Sequence, residues 1–290
     1  MLFRSQIRPL LLGSSALLLQ EGLTETLAGR LFLHHCPHWS FAECERAFGW
    51  NLERWIFFGG YPGAARLARN QETWRRYVVD SLVETAIARD VLAVQRVAKP
   101  ALLRNLFGLA AQFPAQIVSY NKLLGTLQDA GNTVTLAHYL RLLQASFLVS
   151  GLEAASARVR QRGSSPKLVF WNNALVTALS GLAYRETRRD SSWWGRLVEN
   201  AYGAHLLNHL PAPRYEVGYW RDRGAEVDFT VRRGRGRVGI EVKSGRPDRG
   251  GGLTTFRRRF PAARPLLIGR GGLPLEEAFR RDPADYLPFA

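Results

Sequence analysis

The sequence predicts a mixed α/β protein, and two observations carry that prediction. Residues 61–150 have apolar side chains at helical spacing, which is typical of packed helices. Residues 190–270 instead read as a helix, three strands, a second helix and a fourth strand. A chain of 290 residues suits about two domains or three small modules. We expect units at 1–60, 61–185 and 186–290.

Composition excludes several classes of protein. A hydrophobic share of 46% excludes wholesale disorder. No run of about 18 apolar residues is present, so no membrane span and no membrane partner are expected. Two cysteines, Cys36 and Cys44, do not make a disulfide scaffold. The expected location is therefore the reducing cytoplasm.

The charge balance favours a polyanionic partner. Lys and Arg number 40 against 24 Asp and Glu, for a formal net charge of +16. The lysines are Lys99, Lys122, Lys167 and Lys243, so the excess is mostly arginine. Nucleic acid is the first candidate partner and acidic lipid the second. The alternative origin of this composition is a GC-rich genome, which favours arginine codons.

The first 60 residues combine an apolar start with one clear helix signal. Residues 8–12 form a short apolar run that ends in Gly-Ser-Ser at 13–15, and this predicts a buried strand and a loop. A secretory signal is the alternative, but glycine and serine interrupt the run and no A-x-A site follows. Ser40 and Glu43 have capping-box spacing, which predicts a helix starting near Ser40.

A winged helix-turn-helix is predicted in the helical region. Pro100 opens one helix, Ser119 caps a second that ends before Gly131, and Asn132 or Thr133 caps a third. Two helices joined by a short glycine-containing turn make a helix-turn-helix. Residues 147–171 then read as a two-stranded wing whose basic tip carries Arg158, Arg160, Arg162 and Lys167. Such a unit contacts nucleic acid or docks a protein.

The strand pair E-V-D-F and I-E-V-K carries the sharpest chemical signal. Alternation predicts that Val227, Phe229 and Val231 share one face and that Glu226, Asp228 and Thr230 share the other. A two-residue turn at Gly234-Arg235 pairs Arg233 with Gly236. Counting outward then places Asp228 opposite Glu241 and Glu226 opposite Lys243.

Two opposed carboxylates repel each other unless a cation joins them. Oxygen ligands suit Mg²⁺, so Asp228 and Glu241 are candidate metal ligands. Lys243 is then a candidate to steady an attacking water or a developing phosphate charge. The alternative is a solvated hairpin face of mixed charge that contributes little.

The wider pattern resembles a known family. Glu199 on a helix, Asp228, and Glu241-x-Lys243 resemble the catalytic residues of the PD-(D/E)xK, restriction-endonuclease-like fold. The segments GSSALLLQEGLTETLAGR, FFGGYP, SSPKLVF, LVENAYGAHLL and EVDF…IEVK resemble AAA-type ATPases that carry a C-terminal domain of unknown function 4143. The resemblance implies that residues 1–60 are a remnant of a P-loop ATPase sheet and that 186–290 form a restriction-endonuclease-like domain.

The phosphate-binding loop of that family, GxxxxGK[ST], does not occur in this sequence. We therefore expect a truncated relative with no nucleotide-binding residues, no ATP cofactor and no nucleotide hydrolysis by this chain alone. The resemblance implies a nucleic-acid-associated protein, with DNA rather than RNA as the partner and a possible metal-dependent nuclease site. Expected nucleic-acid contacts are Arg158, Arg160, Arg162, Arg232, Arg233, Arg235 and Arg237. The alternative is a non-catalytic interaction module, or a remnant that acts with a separate ATPase subunit.

Overall fold

A computed structural model describes residues 34–92, 97–127, 131–155, 165–245 and 251–289. The predicted N-terminal strand and its Gly-Ser-Ser loop lie outside these residues, as do Arg158, Arg160 and Arg162. The predicted mixed α/β class is confirmed, with one two-stranded and one four-stranded sheet in the described part. No helix within the described ranges is long and apolar enough to cross a bilayer.

Helices account for most of the described residues before the first sheet. Their bounds are α1 Phe41–Phe48, α2 Leu52–Phe58, α3 Pro62–Ala65, α4 Gln71–Arg76, α5 Pro100–Ala110, α6 Tyr120–Thr126 and α7 Thr133–Ala145. A 3₁₀ turn follows α3 at Arg66–Arg69, and π-helical turns follow α4 at Tyr77–Val83 and Ala86–Leu92.

The predicted helix starts are confirmed by their caps. Ser40 and Glu43 make a complete capping box at the start of α1. The Ser119 side chain accepts the Lys122 N–H, and the Asn132 side chain accepts the Thr135 N–H. These oxygens satisfy backbone donors that a helix leaves free in its first turn. Capping therefore decides where α1, α6 and α7 begin.

The two strands predicted after α7 are present and buried. They are β1 Val149–Leu152 and β2 Lys167–Phe170, which pair antiparallel. Lys167 was predicted at an exposed basic tip, and that prediction is wrong, because its exposed fraction is 0%. The cause is that β2 runs through the interior, so its first residue is enclosed along with the apolar residues that follow.

The C-terminal part follows the predicted order of elements. Three helices precede the second sheet: α8 Asn173–Ser180, α9 Tyr184–Arg189 and α10 Ser191–His209. The sheet contains β3 Glu216–Asp222, β4 Ala225–Arg233, β5 Gly236–Lys243 and β6 Arg264–Gly269, in the order β3-β4-β5-β6. The first three are antiparallel, and β6 lies parallel to β5 after the crossover helix α11 Gly252–Arg259.

The two sheets are joined at their edges. The Tyr219 N–H donates to the Glu153 carbonyl (3.1 Å), and the Ala155 N–H donates to the Tyr219 carbonyl (2.6 Å). The segment that continues β1 therefore pairs with the outer strand β3. Because an open strand edge invites pairing with other chains, this contact also protects β3 over that length.

The segment after Gly271 is rich in proline and charged residues, yet it contributes to the core. It forms α12 Leu275–Arg280 and α13 Pro283–Tyr286. Phe279 is fully buried, with its ring centroid 5.3 Å from that of Trp55 and 5.9 Å from that of Tyr202. The charged residues of this segment lie on one side of α12, and the other side of the same helix completes the core. Composition alone does not show this division.

We expect Phe279→Ala to lower the free energy of unfolding by about 3–5 kcal/mol, because it removes a large ring from a closed core. Urea unfolding followed by circular dichroism measures this change. The control is Leu182→Ala, at a side chain 38% exposed, with an expected change within about 0.5 kcal/mol. Equal changes in the two variants would show that the tail is not part of the core.

Candidate functional site

The β4–β5 hairpin has the predicted register from the turn as far as Phe229 and Ile240. The predicted pairings of Asp228 with Glu241 and of Glu226 with Lys243 do not form, because the ladder ends there. Arg233 pairs with Gly236, and the pairing continues inward to Phe229 and Ile240. Gly234 lies in the left-handed region with φ of 58°, as a residue with no Cβ readily does. The turn chemistry therefore fixes which residues of the two strands meet.

Beyond Phe229 the two strands separate, and the separation creates a fork. There the Asp228 Oδ2 atom accepts the Val242 N–H at 2.8 Å, so a side-chain oxygen replaces the backbone acceptor of the ladder. Gly252, at the start of α11, lies against this fork. A Cβ at Gly252 would come within 2.0 Å of the Glu226 carbonyl oxygen and 2.9 Å of Glu241 Oε1. Only glycine fits there, so α11 packs directly over the fork.

A β-bulge corrects the predicted face assignment on β4. Gly218 pairs with Thr230 and Trp220 pairs with Val227, so two residues of β4 oppose one residue of β3. The extra residue reverses the alternation. As a result Val227 packs beneath α11 with Trp220, whereas Phe229 joins the main core. Val227 and Phe229 therefore do not share a face, and the prediction that they do was wrong.

Lys167 lies among carboxylates at this end of the sheet. Its Nζ atom is 2.6 Å from Glu199 Oε1 and 3.4 Å from Glu226 Oε1. It also lies 5.1 Å from the ring centroid of Phe229. The Lys167 side chain is fully buried, while those of Glu199 and Glu226 are 22% and 38% exposed. The ammonium thus occupies the inner side of a carboxylate cluster that opens toward solvent.

Backbone contacts hold Lys167 in this position. Its strand pairs with Leu152 on one side and with Ile117 on the other. At the far end of β2, the Phe170 N–H donates to Asn200 Oδ1 (2.9 Å), and Asn200 Nδ2 donates to the Phe170 carbonyl (3.2 Å). The Asn200 amide therefore binds α10 to β2 like a strand partner. Glu199 precedes Asn200, which brings its carboxylate to Lys167.

Electrostatics keep the ammonium charged. Burial lowers the pKa of Lys167. The carboxylates of Glu199, Asp228 and Glu226 together raise it by more than burial lowers it, so the net pKa lies above its ordinary value. Burial raises the pKa of Glu199 to about 7, with Lys167 opposing and Asp228 adding to the rise. Glu199 therefore changes charge near neutral pH.

The predicted site residues divide into two sets. Glu199 and Asp228 both interact with Lys167. Glu241 is buried on β5 with its Oε1 atom beside Gly252, and Lys243 is the half-buried last residue of that strand. Sequence reasoning missed Lys167 as a member of the site. The available signal was a rare lysine directly before the apolar run Leu-Val-Phe.

The carboxylates of this site do not meet the needs of a metal ion. No group of three or more His, Cys, Asp or Glu side chains in the described segments is arranged to hold a metal ion. Glu199, which could serve as a ligand, already binds the Lys167 ammonium. Asp228 gives one oxygen to a backbone N–H. As arranged here, with Lys167 in place, the site does not fit a divalent cation.

Comparisons with known proteins place two domains of unknown function on the chain. Residues 49–186 match Domain of unknown function (DUF8612), and residues 194–277 match Domain of unknown function (DUF4143). The second match confirms the predicted similarity of the C-terminal part to DUF4143 and includes the four predicted site residues. No curated protein and no solved structure matches the chain.

The raised pKa of Glu199 predicts a pH dependence of stability. A carboxyl group whose pKa is higher in the folded state destabilises that state as it ionises, so stability falls as the pH rises from about 4.5 to about 7. We expect Glu199→Gln to remove this contribution, which is of the order of 3 kcal/mol across that interval.

Urea unfolding at a series of pH values measures the difference between the two chains. Glu72→Gln is the matched control, because its side chain is 67% exposed. A constant difference between wild type and Glu199→Gln over the whole interval would contradict the raised pKa.

Proposed function

We propose that this chain is a nucleic-acid-associated protein whose C-terminal module has a nuclease-like fold. In this proposal the chain binds the phosphate backbone, DNA rather than RNA, and hydrolyses no nucleotide by itself. The proposal is supported by the resemblance of the motifs around Glu199, Asp228 and Glu241 to the PD-(D/E)xK pattern. One observation carries the binding part, a surface of exposed arginines at the turn end of the second sheet.

This arginine surface is formed by three elements that end side by side. The guanidinium carbon of Arg237 lies 4.2 Å from the ring centroid of Phe260, directly after α11, and Arg264 pairs with Val238 at the start of β6. The surface comprises Arg233, Arg235, Arg237, Arg257, Arg258, Arg259 and Arg264, of which all except Arg237 are exposed. Arg232 was also predicted to bind nucleic acid. Its guanidinium forms an ion pair with Glu216, which partly neutralises its charge.

Positive charge concentrated at one end of a domain attracts a polyanion. Arginine is suited to bind phosphate, because its planar guanidinium can donate to two oxygens at once. Of the arginines on this surface, the sequence predicted only those of the hairpin as nucleic-acid contacts. The addition of Arg257, Arg258 and Arg259 depends on the crossover that returns α11 to the same end of the sheet.

The ATPase relationship remains part of the proposal. DUF4143 is found in AAA-ATPase-associated proteins, which supports a separate ATPase subunit as a partner. The sequence has no GxxxxGK[ST] motif to bind nucleotide phosphates. In this proposal the partner subunit would therefore hydrolyse the nucleotide.

Glu199, Asp228, Glu241 and Lys243 remain the proposed site of the nuclease-like module. A Mg²⁺ ion held by Asp228 and Glu241 would require these side chains to rearrange from the positions described above. Lys243 is half-buried at the end of β5, and in this proposal its ammonium binds a phosphate. Asp228 is held by Val242 and so keeps a fixed orientation.

A second candidate function is a non-catalytic binding module. The ion pair of Lys167 with Glu199 favours it, because that ammonium already neutralises part of the carboxylate charge. A domain of this kind would keep the arginine surface and bind without cleaving. The two candidates differ only at the carboxylate cluster, so cleavage separates them.

We expect the chain to bind fluorescein-labelled duplex DNA with an affinity that falls steeply between about 50 and 200 mM salt. Replacing Arg257, Arg258 and Arg259 by Gln should weaken binding and flatten the salt dependence, by up to about one unit of slope for each lost phosphate contact. Fluorescence anisotropy at several salt concentrations measures both effects.

The control is a triple Gln variant of Arg66, Arg69 and Arg76, which are exposed and belong to the helical region. It removes the same charge from another surface. Equal losses in both triple variants would show that net charge alone drives binding, and the arginine surface would then have no special role.

For cleavage, we expect any Mg²⁺- or Mn²⁺-dependent nicking of supercoiled DNA to be lost in both Asp228→Asn and Lys243→Met. Asp228→Asn keeps the side-chain oxygen that Val242 needs, so the fold is retained. Cleavage that persists at the wild-type rate in both variants would identify a contaminating nuclease, and the non-catalytic function would then be preferred.

A further inference from the structure

We infer that Lys167 is the resident cation of the carboxylate cluster formed by Glu199, Glu226 and Asp228, and that a divalent metal binds these carboxylates only when its ammonium is absent. This inference rests on the proposed grouping of Glu199 and Asp228 in one site. It gives a positioning role to a residue that neither domain description assigns.

The first argument is charge. The electrostatic partners of Glu199 are Lys167, Asp228 and Glu226, so one positive charge faces three carboxylates. Carboxylates held together at the edge of a core repel one another strongly, and a cation is required to hold them in one place. Lys167 supplies that cation from inside the protein.

The second argument is geometry. Nζ lies 2.6 Å from the nearer oxygen of Glu199, which is a direct ion pair with no room for another atom between them. A metal bound to the same oxygen would lie about 2.0–2.1 Å from it and would meet the ammonium at very short range. Repulsion between the two cations therefore opposes their binding to this carboxylate at the same time.

The third argument is rigidity. Lys167 belongs to β2, whereas Glu226 and Asp228 belong to β4 in the other sheet. The backbone of β2 is paired on both sides, and Asn200 fastens it to α10. The ammonium therefore cannot leave by a simple rotation, since its Nζ is enclosed at 0% exposure. The cluster excludes metal for as long as β2 keeps its place.

The test compares Lys167→Met, which removes the charge and keeps the length of the side chain, with Lys122→Met at an exposed lysine. Each full-length chain is heated with EDTA or with excess MnCl₂, and free Mn²⁺ is counted by electron paramagnetic resonance. We expect Lys167→Met to unfold at a lower temperature in EDTA, to recover in Mn²⁺, and to bind one Mn²⁺ about tenfold or more tightly than wild type. Wild type and Lys122→Met should melt at temperatures that Mn²⁺ leaves unchanged.

A second variant and a second measurement cover the case in which Lys167→Met does not fold. Lys167→Gln removes the charge but keeps a donor for Glu199, and it should gain Mn²⁺ in the same way. In the wild-type background, Glu199→Gln should leave any weak Mn²⁺ binding unchanged. Loss of wild-type Mn²⁺ binding in Glu199→Gln, or equal Mn²⁺ affinity in wild type and both Lys167 variants, would overturn the inference.

The outcomes also separate this inference from the proposed function. Tight Mn²⁺ binding by wild type together with cleavage would support the nuclease site and refute the role of Lys167. Mn²⁺ binding gained only in the Lys167 variants, with no cleavage by wild type, would support Lys167 as the resident cation and refute the nuclease site.

Discussion

The ion pair between Lys167 and Glu199 is the constraint on which the rest of the site depends. A fully buried ammonium is costly to remove from water, and only close carboxylates and hydrogen bonds offset that cost. The surroundings of Lys167 meet this need from two sides, with Glu199 on α10 and Glu226 on β4. The contact of Lys167 with Glu226 also links the first sheet to the second. Removing either Lys167 or Glu199 would leave the other as an unpaired charge in the core.

Two features of β4 make room for this arrangement. The bulge opposite Tyr219 directs the side chain of Phe229 toward the main core and brings its ring near Lys167. The fork at Asp228 opens the ladder, and its carboxylate restores the hydrogen bond that the backbone lost. Gly252 then closes the other side of the fork by direct contact with the Glu226 carbonyl. Local departures from regular sheet geometry therefore build the site, as is common near functional positions.

Local signals in the sequence were sufficient for much of the fold. Ser40, Ser119 and Asn132 predicted helix starts because a cap depends on residues only three positions away. The hairpin register followed from one turn for the same reason. The predictions that were wrong concern features set by residues far away in the sequence. The burial of Lys167 requires α10 and β4, and the bulge requires the packing of β3 and α11, which no short segment specifies.

The most direct test of this account is a double-mutant cycle between Lys167→Met and Glu199→Gln, measured by urea unfolding at neutral pH without metal. The account predicts that the two changes are strongly non-additive, with a coupling energy of about 2–3 kcal/mol, because each residue is stabilised by the other. Additive effects, with a coupling below about 0.5 kcal/mol, would contradict it and would show that the cluster is held together by other contacts.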